Sequence, residues 1–72
     1  MIDFAILKKR YHEIEAKYPL LSNTSMDAFN QDIYKMLADF GVPEKDRARV
    51  RDCLWMGDKL DETARKILEA VS

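Results

Sequence analysis

Chain-breaking residues are scarce and regularly placed. The sequence holds two glycines and two prolines, at Pro19, Gly41, Pro43 and Gly57. They cut it into four segments, each of helical length, and within each segment apolar residues return every third or fourth position. Nothing alternates with period two for long enough to make a strand. That pattern predicts an all-α domain of four short helices.

The first helix is expected from about Asp3 to Lys17, with Phe4, Leu7, Tyr11, Ile14 and Tyr18 on one face. Asp3 is a suitable N-cap, because its carboxylate can accept from early backbone N–H groups. Pro19 stops this helix and biases Tyr18 toward an extended shape. Leu20 and Leu21, in the loop that follows, are expected to tuck into the core. Ser22 to Ser25 (SNTS) are dense in capping residues, and Thr24 with Asp27 approximates a capping box. The second helix then runs to about Phe40 with a stripe of Met26, Phe29, Ile33, Met36, Leu37 and Phe40. Gly41 fits the left-handed position after a helix.

Pro43 suits the first position of the third helix, where its missing N–H leaves nothing unsatisfied. Glu44 and Asp46 suit the positive end of the helix dipole. This helix should end near Met56, with Gly57 as the stop. Asp58 is expected to cap the fourth helix with Asp61 at the box position, and Leu60, Ala64, Ile67, Leu68 and Val71 form its apolar face. Asp61–Arg65 and Glu62–Lys66 are i,i+4 pairs. The turns at 41–43 and 57–58 are too tight for a simple elongated bundle. Helices two to four are expected to cross steeply, with helix one packed across them. With no linker, repeat or low-complexity segment, residues 1–72 read as a single domain.

The bulk numbers narrow the function. A chain of 72 residues buries only about 60% of the surface its unfolded form exposes, so stability should be modest, about 3–5 kcal/mol. One cysteine cannot form an internal disulfide, and one histidine with one cysteine cannot make a zinc site. The lone thiol points to a reducing, cytoplasmic setting. No apolar run is long enough to span a membrane, and MIDFAILKKR has the reverse order of a signal peptide. The formal net charge is −1, against the basic excess of a nucleic-acid binder. Lys8 to Arg10 fan around their helix, and Glu44, Asp46 and Asp52 offset Arg47, Arg49 and Arg51. The segment LADFGVPEKDRARV has the outline of a helix-turn-helix, but Arg47 stands where that motif needs an apolar residue to pack its two helices together.

No catalytic set emerges, and a non-enzyme without cofactor or metal is expected. His12 reads as a surface residue, Cys53 as an inert core thiol, and Asp58 with Asp61 as caps. What remains is a set of apolar residues off the main stripes. Trp55 falls roughly opposite the Val50, Cys53, Leu54 and Met56 side of its helix, Ile2 and Ile6 opposite Phe4, Leu7 and Tyr11, and Tyr34 off the second stripe. Two readings of Trp55 follow. Either helix four turns back over it, or the helix unwinds before it, and it is core; or it is a partly exposed anchor of the kind found at binding hot spots. The second makes the chain a small protein-binding module, an adaptor or an inhibitor or immunity-type regulator of phage or bacterial kind. Its surface would be Trp55, Tyr34, Ile2 and Ile6 with Arg51 and Lys9 as the charged rim, and its partner another protein or a second copy as a homodimer.

Two family likenesses are visible. The segment from Met36 to Val71 resembles a ubiquitin-associated domain in outline, with Phe40-Gly41-Val42 at that family's loop and Ile67-Leu68 near its terminal dileucine. The likeness implies a ligand surface on those five residues; the middle helix here is about one turn longer. The stretch from Ser25 to Leu68 resembles an acyl carrier protein, with Ser25-Met26 opening helix two, then Phe-Gly-Val and Gly-Asp. It implies a phosphopantetheine group on Ser25. The aspartate that precedes the serine in that family is Thr24 here, the first loop is short, and the acidic docking surface is missing.

Overall fold

The computed structural model describes residues 2–19 and 23–71, apart from the side chains of Asn23, Thr24 and Val71. The expected places of Leu20, Leu21 and Ser22 lie outside them. Among the described residues there are four α-helices and no strand: α1 (Phe4–Ala16), α2 (Asn23–Asp39), α3 (Glu44–Met56) and α4 (Asp61–Val71), with one 3₁₀ turn, Gly57–Lys59, between the last two. Each helix packs on its neighbour in sequence, α1 on α2, α2 on α3 and α3 on α4. The four-helix, all-α domain with short turns predicted from the breakers is what forms.

The caps explain the boundaries. Asp3 Oδ1 accepts from the backbone N–H groups of Ala5 and Ile6 at 3.0 and 3.2 Å, which satisfies two of the donors a helix start leaves open. At the end of α2, Gly41 takes φ +88°. The Val42 N–H reaches back to the Leu37 carbonyl and the Gly41 N–H to that of Ala38, both at 2.9 Å. This is a Schellman arrangement, and Leu37 and Val42, the apolar pair it brings together, are both fully buried. A side chain at residue 41 would meet no neighbour, so glycine is favoured there for its backbone alone.

The expected stripes make the core. Leu7 and Tyr11 come from α1, Phe29, Ile33, Met36 and Leu37 from α2, Val50, Cys53 and Leu54 from α3, and Ala64 and Leu68 from α4. Phe4, Ile14, Tyr18, Met26, Phe40 and Ile67 are partly buried against it. Phe29 is the hub. The rings of Tyr11, Tyr18 and Trp55 all meet it edge-on, with centroids 6.2, 5.7 and 5.9 Å away, a favoured aromatic geometry. Tyr18 is further held by its hydroxyl, which donates to Asp32 Oδ2 at 2.6 Å.

Several local expectations are corrected. Pro43 is the N-cap of α3, with φ −61° and ψ 150°, and not its first residue. Helix α2 starts at Asn23, so Ser25 lies inside its first turn. Met56 is 54% exposed: at about 100° per residue it lies about 120° from Val50 and about 160° from Leu54, with only Cys53 of that face near it on the wheel, and Gly57, at φ +71°, ends the helix there. Asp58 does not cap α4, because the 3₁₀ turn intervenes and α4 begins at Asp61. Both aspartates instead pair with Lys8 of α1. Its ammonium lies 3.4 Å from Asp58 Oδ1 and hydrogen-bonds Asp61 Oδ2. The Asp61 hydrogen bond, before any other influence, raises the Lys8 pKa. This tie joins the first helix to the last.

Candidate surface between helices two and three

Trp55 is reached by an unbroken helix, and α4 does not cover it. Its indole leaves the α3 core face and turns onto Phe29 of α2, so one edge is packed and 52% of the residue is exposed. With Met26, Phe29, Asn30, Arg51 and Asp52 it lines a shallow groove of about 210 Å³ along the α2/α3 seam. Met56, next in sequence, is as exposed but does not line the groove.

Arg51 sits one turn before Trp55. Its Nη1 donates to the Tyr34 hydroxyl at 2.7 Å, while Nε and Nη2 donate to Asp52 Oδ1 at 3.2 and 2.9 Å. The guanidinium carbon is 5.3 Å from the Tyr34 ring centre. The hydrogen bonds, more than the ring, fix its position. Tyr34 is partly buried against the core, so the phenol anchors the arginine from below. Two of the three polar groups at this groove are thus already committed to each other, and the indole edge is the part left open.

The six residues read from the sequence as one binding surface do not form one. Trp55, Arg51 and Tyr34 come together across α2 and α3. Ile2 is partly buried against the core and lines a separate groove with Phe4, Arg65 and Leu68. Ile6, 52% exposed, and Lys9, exposed, are on the outer side of α1. Wheel positions identified residues off the stripe but not which of them the fold would gather. The part played by Phe29 as the floor of the groove was missed, because its place in the α2 stripe marks it only as core.

The other candidates fare as follows. Cys53 is 3% exposed, and burial pushes its thiol pKa up, which leaves it a small hydrophobe. The His12 ring is exposed and its Nδ1 is 3.3 Å from Glu15 Oε1. Among the described residues no group of three or more His, Cys, Asp or Glu could hold a metal ion, and no helix is long and apolar enough to cross a membrane. Arg47, which excluded a helix-turn-helix, donates from Nε to the Val42 carbonyl at 2.9 Å and so braces the α2–α3 turn. The ligand surface implied by the ubiquitin-associated likeness is not open as a whole. Val42 and Leu68 are 1% and 2% exposed, so two of its five residues are spent on the core. Ser25 is partly buried.

Comparison with protein-family models, with curated proteins and with solved structures finds no match.

Proposed function

We propose that this chain is a small, non-enzymatic module that binds another protein through the α2/α3 groove, with Trp55 as the anchor and Arg51 as its polar flank. An adaptor or an inhibitor or immunity-type regulator acts in this way. The observation that carries the reading is the state of the indole, which is held on one edge by Phe29 and open on the other. A large aromatic already fixed in place loses little conformational freedom on binding, which is why tryptophan and arginine dominate hot spots.

Trp55 is the chain's one tryptophan, so its emission tests the reading directly. Free protein should emit toward the red, and addition of a partner captured by affinity from source lysate should shift it blue. Trp55→Ala should weaken that complex by about 2 kcal/mol or more, measured per folded molecule. Unchanged emission on binding, or unchanged affinity of the folded Trp55→Ala protein, would remove Trp55 as the anchor.

A further inference from the structure

The outer side of α1 carries a second surface with a different design. At 3.6 residues per turn, Ile6, Lys9, Glu13 and Ala16 fall on one line directly away from the buried Leu7 and Tyr11. All four are exposed. Their spacing of three, four and three is that of the a and d positions of a helix-pairing seam. Unlike Arg51 in the groove, Lys9 and Glu13 have no ion-pair partner within the described chain. Each is a charge on an open helix face.

We infer that this face pairs with itself, antiparallel, in a two-fold dimer. When two copies of α1 cross about an axis level with Tyr11, Lys9 meets Glu13 of the second copy and Glu13 meets its Lys9. On either side of these two ion pairs, Ile6 meets Ala16 of the second copy, a large residue against a small one. A two-fold contact must be self-complementary in this way, residue i on j and j on i. The parallel alternative sets Lys9 against Lys9 and Glu13 against Glu13, so the charges choose the orientation. The helix has 13 residues and is about 20 Å long. One helix face of that length buries less than the roughly 1,000 Å² of a stable interface. The dimer is therefore weak, formed at high concentration and loosened by salt. It leaves the Trp55 groove uncovered.

Sedimentation equilibrium from about 10 μM to about 1 mM tests this; Lys9 and Glu13 are exposed, so exchanging them leaves the core untouched, and Trp55→Ala is compared as folded protein, checked by its helical circular dichroism. The wild-type chain should self-associate, and about 0.5 M salt should weaken it. K9E and E13K should each lower the association constant at least about tenfold. An equimolar mixture of the two variants should associate again, because the acidic face of one then meets the basic face of the other, and the doubly exchanged chain K9E/E13K should match wild type. Trp55→Ala should leave association unchanged. A wild-type chain that stays monomeric at about 1 mM overturns the inference. So does a K9E dimer as tight as wild type, or a dimer lost in Trp55→Ala, which would place the contact on the groove instead.

Discussion

The two surfaces differ in how their polar groups are used. Along the α2/α3 groove the guanidinium of Arg51 is tied to Tyr34 and Asp52, and the groove offers shape and an aromatic edge. On α1 Lys9 and Glu13 have no ion-pair partner among the described residues. A fixed polar group gives a partner a rigid frame at little ordering cost. An untied one gives it a charge to meet and makes the contact depend on salt. The contrast teaches that exposure alone does not rank surfaces: Ile6 and Trp55 are equally exposed, each at 52%, yet only Trp55 is held from beneath.

The largest expected effect attacks what holds it. Phe29→Ala removes the ring shared by Tyr11, Tyr18 and Trp55 and should destabilise by about 3–5 kcal/mol, enough to unfold much of a chain this small in urea titration. Phe29→Leu keeps apolar volume and should leave a folded protein whose tryptophan emission is redder and less anisotropic. If emission is unchanged, Phe29 is not what fixes the indole. Next, Tyr34→Phe removes the hydroxyl that accepts from Arg51 and should cost about 0.5–1.5 kcal/mol, seen as a shift of the urea midpoint with unchanged slope. Smallest, Lys9→Ala and Glu13→Ala should move stability by less than about 0.5 kcal/mol. A larger loss would mean that the α1 face has ties within the chain and that the contrast fails.

The packed side of α1 and the contacts beside it also respond to alkali. Burial, and after it the Glu15 carboxylate, push the Tyr11 hydroxyl up to about 12 from 10.0. It lies buried with no hydrogen-bond partner. A pKa raised on folding contributes stability that is whole below the unfolded value and is lost as pH rises through the folded one, here between pH 10.0 and about 12. Lys8, raised from 10.5 by its hydrogen bond to Asp61, and Tyr18, raised from 10.0 by its hydrogen bond to Asp32, lose stability in the same direction. Tyr11→Phe removes an unpartnered buried hydroxyl, so it should be neutral or stabilising by up to about 1 kcal/mol at pH 7. It should also flatten part of the loss above pH 10.0 in denaturant midpoints followed against pH.

Much of the fold was legible because its signals are local. Asp3 as a cap, Gly41 in the left-handed region and the stripes of α1 and α2 each depend on residues within a turn or two. What could not be read is what depends on residues far apart in sequence. Asp58 and Asp61 have the spacing of a capping pair, and only the approach of α1 turns them into the counter-charges of Lys8. Trp55 was read correctly as lying off its own stripe. Its contact with Phe29 belongs to the angle at which α2 meets α3, which no single-helix wheel contains. For the same reason the wheel could find Ile2, Ile6, Tyr34 and Trp55 but could not sort them into separate places.

The tie from Lys8 to Asp61 spans 53 residues of sequence, and beside it the Arg65 guanidinium carbon lies 5.4 Å from the ring centre of Phe4. The first and last of the four helices therefore meet. Joining α4 back to α1 through a short glycine-serine linker and cutting between residues 57 and 60 would give a circular permutant that keeps all four helices and both surfaces. In it the helix pair now distant in sequence would become the nearest one, and its contacts would be local.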